Sequence, residues 1–191
     1  MNILSKVKVV KADITTLKVD CIVNAANETL LGLGKNKNKY KGIAEAIRLA
    51  AGDEIVEECK VLSRAGGCRT GQAVITKGYK LPAKHVIHAV GPRKQTMGIN
   101  YGLLASAYRS SLDVMKENKL RSIAFCCIST GLFRHPNQRS AEVAFKTVCN
   151  WLEKNWDSVD EVVFCTWLDK DDIIYRNLIA EYQKNQAGAM Q

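Results

Sequence analysis

At 191 residues the chain has room for one well-buried α/β domain and too little for two. Its 47% hydrophobic and 25% charged residues are ordinary for a globular protein, and its longest apolar runs are strand-sized, which excludes a membrane-spanning segment. The net charge of +9 favours anionic partners, although lysines spread for solubility give the same sum.

In chain order, residues 6–11 read as a first strand through Val7, Val9 and Val10, and 21–23 as a second. Residues 43–51 carry Ile43, Ala44, Ala46, Ile47, Ala50 and Ala51 at helical spacing and stop at Gly52, a C-cap. A second helix covers 53–63. Strands at 71–76 and 84–90 flank a turn at 78–82, and an amphipathic helix comes next over 101–116. Then come a strand at 121–128, a helix at 140–155, a strand at 160–167 and a closing helix at 171–183. This alternation predicts one α/β domain over 1–183 with a frayed tail at 184–191, the sheet largely parallel and helices on both faces.

The seven cysteines (21, 59, 68, 126, 127, 149 and 165) make no disulfide framework; several sit in apolar strand runs, where a thiol packs as a small hydrophobe. With three histidines and no CxxC or HxxxH spacing, neither metal nor other cofactor is expected. The first residues lead into a strand without an apolar signal core, so the expected compartment is the reducing cytoplasm.

Two segments carry the chemistry. Residues 19–27 and 123–131 are apolar runs that break off into amides, hydroxyls and glycine: Asn24 and Asn27 in the first, Ser129, Thr130 and Gly131 in the second. A run apolar at successive positions reads as a strand buried on both faces. The residues just beyond such a strand emerge at the carboxyl rim of the sheet, where open α/β folds hold ligands. The alternative is two ordinary strand-to-loop transitions. Lys35, Lys37, Lys39 and Lys41 crowd one stretch, yet no aromatic-rich strand or basic helix accompanies them. A small phosphorylated ligand, free or attached to a larger partner, fits better than nucleic acid.

The motifs resemble the macrodomain family, whose members bind ADP-ribose. They are Ala12-Asp13-Ile14-Thr15, the segment 19–27, Ala46 to Gly52, 67–73, 86–92, and 123–131 followed by Leu132-Phe133. The resemblance implies a three-layer α/β/α fold with a mixed, largely parallel central sheet, and ADP-ribose or an ADP-ribosylated macromolecule as partner of a monomer. Asp13 is similar to the acid that accepts from the adenine amino group, with the Ile14 N–H nearby; an Asx-turn is the other reading of Asp13. Trp167 falls where the family places an aromatic against adenine, though it reads equally as a core or surface tryptophan. Ser129, Thr130, Gly131, Leu132 and Phe133 resemble the diphosphate loop, with Phe133 over the distal ribose. Asn24 and Asn27 match the family's asparagines. Arg134 reads as a phosphate contact or a solvated residue, His135 as a surface residue and His88 as a satisfied core histidine.

The departures from the family pattern lie after the second strand. Its glycine run is replaced by a longer, lysine-rich stretch in which Gly32 and Gly34 remain candidates for ligand contact. Ala44 stands where many hydrolytic members carry an Asp, and Arg48 where they carry a His. Within the family, 67–76 and 122–131 are closest to a bacterial branch of zinc-containing ADP-ribosyl hydrolases, but the Cys and His ligands of that branch are missing. Viral macrodomains resemble this chain in carrying Ala at the Asp position and still remove ADP-ribose. Asn27 and Glu45 are therefore the catalytic candidates. A helix-start Glu favoured by the helix dipole is the other reading of Glu45. The resemblance leaves two activities open: hydrolysis of mono-ADP-ribosyl linkages, or ADP-ribose recognition without turnover. RNA binding through the basic stretch is a weaker third.

Overall fold

The second strand shows why the sheet forms. Cys21, Ile22 and Val23 are fully buried, as a central strand covered by helices on both faces requires. The structure, a computed structural model, describes residues 2–32, 42–96 and 98–188. Six strands, β1 (Val7–Lys11), β2 (Cys21–Ala26), β3 (Ala73–Lys77), β4 (His85–Val90), β5 (Ser122–Phe125) and β6 (Glu161–Thr166), lie in the order β1-β6-β5-β2-β4-β3. All neighbours are parallel except β3, which runs antiparallel to β4 at the edge. Helices α1 (Ile43–Ala51) and α2 (Glu54–Arg64) pack on β2 and β3. Helices α3 (Tyr101–Glu117), α4 (Asn137–Asn155) and α5 (Asp169–Gly188) pack on one another and on β3, β4, β1 and β6. This is the mixed, helix-flanked sheet expected from the sequence.

Local signals set most boundaries. Gly52, at φ +93°, ends α1 as expected, and Asn100 caps α3 by accepting from the Leu103 N–H at 3.0 Å. Four elements differ from expectation, the first being β2, which runs on to Ala26 rather than ending at 23 and so takes Asn24 into the strand. The fifth strand ends at Phe125 rather than 128, because the Tyr108 hydroxyl takes over the ladder's role: it donates to the Cys126 carbonyl at 3.4 Å and accepts from the Ile128 N–H at 3.2 Å. Helix α4 begins at Asn137, just after Pro136, whose carbonyl accepts from Ser140 N–H at 3.0 Å. Helix α5 runs to Gly188, so residues 184–188 are helical rather than frayed. Ile174, Tyr175, Leu178, Ile179 and Tyr182 dock it on the core at helical spacing, and no Pro or Gly interrupts it before 188.

The amino rim of the sheet is stitched by one residue. Asp20 accepts from the Arg121 and Ser122 N–H groups at 2.9 and 3.1 Å and from Lys84 at 2.8 Å, joining the starts of β2, β5 and β4. Burial opposes ionisation of Asp20, but the bonds from Lys84, Arg121 and Ser122 outweigh it and hold its pKa at about 2. All seven cysteines are free thiols, and six are buried. Burial raises the thiol pKa of Cys126 to about 12, which leaves it a packing group rather than a nucleophile. Among the described residues no helix is long and apolar enough to cross a membrane.

Candidate functional site

The carboxyl rim is where the sheet opens. β2 and β5 share only two registered pairs, Cys21 with Ile123 and Ile22 with Ala124; beyond them β2 continues to Ala26 while the chain after Phe125 turns away. Along the rim, from β1 through β6 and β5 to β2, the strand ends deliver Asp13, Trp167, the loop 129–133 and Asn27 in that order. Three strand spacings separate the first from the last, a run of about 14 Å. Such a row suits an elongated ligand.

At the β1 end, Asp13 caps the short turn Ile14–Thr16: one carboxyl oxygen accepts from the Thr15 N–H at 2.9 Å and the Thr15 hydroxyl at 2.7 Å. The turn reading of Asp13 therefore holds, and the residue is exposed. Ile14 is buried beneath it. Next to it, Ala12 N–H reaches the Thr166 carbonyl at 3.1 Å, which sets Trp167 beside Asp13. Trp167 is 70% exposed, so its ring is no part of the core.

The loop after β5 is built to present amides. Ser129 and Arg134 both adopt left-handed backbone, at φ +67° and +58°, and bracket a reversal closed by Arg134 N–H to Gly131 O and His135 N–H to Ser129 O, each 3.0 Å. The Thr130 hydroxyl donates to Cys127 O at 3.0 Å. Among the described residues none accepts a main-chain hydrogen bond from the N–H groups of 129–133, and the N-terminus of α4 lies just beyond at Asn137. Leu132 is exposed; Phe133 lies under the Arg93 guanidinium, 4.5 Å from the ring centre. Gly91, at the end of β4, makes room for the loop, since a Cβ there would stand 2.2 Å from Ser129 Oγ and 2.5 Å from Ile128 Cγ2. The arrangement is an anion-binding nest.

At β2, Asn27 donates through Nδ2 to Gly32 O at 2.7 Å and accepts through Oδ1 from the Thr29 hydroxyl at 3.1 Å. Gly32, at φ +71°, thus shapes the loop around Asn27. An amide carries two N–H groups and two lone pairs on its oxygen, so Asn27 retains one of each for a ligand. Asn24 is different: it is buried, and its Nδ2 meets His88 Nδ1 at 3.1 Å inside the sheet. The two-residue alternation of β2 turns Asn24 toward its ladder partner His88, so it does not reach the rim as the sequence suggested. His88 is the satisfied core histidine expected, with Thr76 Oγ1 2.9 Å from Nε2, and burial lowers its pKa to about 4. His135 is not the surface residue expected: it is buried, edge-on to Tyr101 at 5.9 Å. Burial lowers its pKa, partly offset by the Arg93 main chain.

Glu45, in the first turn of α1, is held by Arg48 in a two-pronged ion pair of 2.7 and 2.8 Å. Gly34 and the lysine-rich stretch lie outside the described residues. Three contributors escaped the sequence reading. Glu28 accepts from the Thr70 hydroxyl at 2.8 Å, and Arg93 bridges Phe133 toward them. The Glu28 main-chain N–H, then Thr70, keep the Glu28 carboxyl below the usual carboxylate range; partial burial opposes this and the Arg93 charge reinforces it. Thr70 lay within the motif at 67–73, but nothing in the sequence tied it to Glu28 or Arg93. Among the described residues no group of His, Cys, Asp and Glu is placed to hold a metal ion.

The fold and this rim define an α/β domain with a preformed anion loop between two polar strand ends. The chain matches the Macro domain family over residues 23–144. It is 46% identical over 179 residues to the ADP-ribose glycohydrolase MACROD1 of Rattus norvegicus, covering 93% of this chain and 66% of that protein. It is also 46% identical over 174 residues to the macro domain-containing protein CT2219 of Chlorobaculum tepidum, covering 90% and 94%. The crystal structure of the Trypanosoma brucei macrodomain in complex with ADP-ribose superposes with a TM-score of 0.83 at 33% identity, over 93% of this chain and 70% of that one. The protein belongs to the Macro domain family. It spans less than two thirds of the length of the animal relatives it matches, down to 36% for MACROD2 of Mus musculus.

Proposed function

We propose that this protein binds ADP-ribose along the carboxyl rim and hydrolyses mono-ADP-ribosyl linkages. The observation that carries the reading is the row of Asp13, Trp167, the unpaired amides of 129–133 and Asn27 across adjacent strand ends. Asp13 accepts from the adenine amino group through its other oxygen, Trp167 stacks on the base at a gain of about 1–3 kcal/mol, and the loop amides hold the diphosphate. Phe133 and Asn27 hold the distal ribose. In the cleavage, water adds its hydroxyl to C1″ and the acceptor leaves with the remaining proton. The transition state carries oxocarbenium character, and the bound diphosphate is the anion nearest to hand to stabilise it. Ala44 brings no carboxylate, and the Glu45 carboxylate is already paired with Arg48. Catalysis therefore rests on Asn27 positioning the ribose and on the substrate's own phosphate orienting the water.

The Glu45–Arg48 pair also favours the second reading, an ADP-ribose reader without turnover. Incubation of the purified protein with a mono-ADP-ribosylated protein separates the two: loss of label supports hydrolysis, and saturable ADP-ribose binding with the label intact supports the reader. Binding of RNA that collapses with salt and is not displaced by ADP-ribose would favour the basic stretch instead. The seven unpaired thiols support a reducing, cytoplasmic setting.

A further inference from the structure

The ladder between β5 and β6 ends at the pair Phe125 and Phe164. Beyond it, the chain after β5 runs on to the amide loop and the chain after β6 to Trp167. Among the described residues, the hydrogen bonds that join segment 126–137 directly to segment 165–171 all pass through Asn137. Its Nδ2 donates to Asp171 Oδ1 at 2.6 Å, and its Oδ1 accepts from Lys170 Nζ at 3.1 Å. Asp171 is only 6% exposed, so this is no surface contact: a buried carboxyl group requires a donor, and Asn137 supplies it. Both partners connect to the site by short paths. On one side, Asn137 follows Pro136, whose φ of −60° is fixed by its ring, and the preceding His135 N–H closes the loop on Ser129 O at 3.0 Å. On the other, the Asp171 N–H donates at 3.0 Å to the carbonyl of Leu168, the residue after Trp167.

We infer that the Asn137 amide is a clamp that fixes the distance between Trp167 and the loop 129–133. Asn137 and Asp171 are then positioning residues, selective for ligands that carry a base and a diphosphate at the spacing of one nucleotide. The inference rests on the proposed placing of adenine at Trp167 and of the diphosphate at the loop. A ligand that joins two groups gains from binding the second only when both sites stand at the right separation. A separation already set in the empty protein also spares the complex the entropy of ordering two loose segments. The position of Asn137 in its own helix gives no other reason for an amide. It is the first residue of α4, and both bonds of its side chain go to α5 rather than to its own helix. The clamp therefore joins the segments that follow two adjacent strands, at the point where the ladder between them has stopped.

The test compares ligands on the full chain: ADP-ribose by calorimetry, and its two halves, adenosine and inorganic pyrophosphate, by ligand-observed NMR at millimolar concentration. Asn137→Ala is expected to weaken ADP-ribose binding about tenfold while each half-ligand stays within about twofold. A general loosening of the fold would lower all of these affinities together, so the split is the signature of a clamp. Asn137→Gln keeps an amide for Asp171 but displaces it by one methylene, and a loss of about threefold for ADP-ribose alone is expected. Asp171→Asn keeps an acceptor for the Asn137 amide and should hold the affinity of the unaltered chain within about twofold. Undiminished ADP-ribose affinity in Asn137→Ala, or in Asn137→Gln should the first variant not fold, overturns the clamp. A loss shared equally by ADP-ribose and both half-ligands overturns it too, as does an unaltered chain that binds ADP-ribose but neither half. If ADP-ribose itself fails to bind the unaltered chain, the underlying reading falls first.

Discussion

At the scale of single residues, the site separates groups that grip from groups that position. Asp13 caps a turn with one oxygen, and on the proposed reading its other oxygen takes the adenine amino group. Asp13→Asn keeps an oxygen that can cap Thr15 but loses the charge that strengthens a bond to the adenine amino group. It should weaken ADP-ribose binding by about tenfold, a loss in the range of a charge-assisted hydrogen bond, with the melting temperature nearly unchanged; calorimetry and a thermal melt check both halves. Asn27 has the opposite balance. Asn27→Ala removes one hydrogen bond to the bound sugar, a loss of about fivefold in affinity. It also frees the ribose to rotate away from the line of attack, for which a loss of about a hundredfold in turnover is expected. Parallel measurements of Kd and single-turnover rate decide the point, and equal losses in the two would remove Asn27 from the positioning role.

At the scale of elements, the loop after β5 depends on a residue at the end of β4. Gly91 leaves the space that Ser129 Oγ and Ile128 fill. Gly91→Ala should cost about 1–3 kcal/mol of stability by overpacking, and by pushing Ser129 out of its left-handed conformation should lower ADP-ribose affinity more than tenfold. Denaturant titration and calorimetry on the same sample test the pairing of these effects. Much of this level was legible in the sequence, because apolar runs that stop at Asn27 and at Ser129 announce carboxyl ends of buried strands. Asp13 and Trp167 were legible only through the resemblance to the family. The features that escaped depend on register and on distant chain. Asn24 looked like a rim amide, yet its pairing opposite His88 sends it into the sheet. His135, next to Pro136, looked like solvent-facing loop, yet Tyr101 from α3 covers it. Glu28, Thr70 and Arg93 come from three separate loops, and no local pattern in any of them marks a shared wall.

At the scale of the whole molecule, pH reports on the packing of the interior. His88 is neutral in the fold with a pKa of about 4, against 6.5 for the unfolded chain. Between those values the unfolded state binds the extra proton and the folded state does not, so stability falls as pH drops from 6.5 to 4, by on the order of 3 kcal/mol. The lowered pKa of His135 acts in the same direction below 6.5. A second decline sets in below pH 3.8 as Asp20, ionised down to about 2 in the fold, loses its bonds at the amino rim. Urea midpoints measured from pH 7 to 3 should show the first decline, and a flat profile between 6.5 and 4 would contradict the burial of His88.

The two pairs shared by β2 and β5 carry a mechanical consequence. The starts of these central strands are joined by Asp20, while beyond Ile22 and Ala124 they share no registered pair. On the proposed reading a nucleotide laid across that seam would join the two strand ends, and the protein would be most rigid with its slot full.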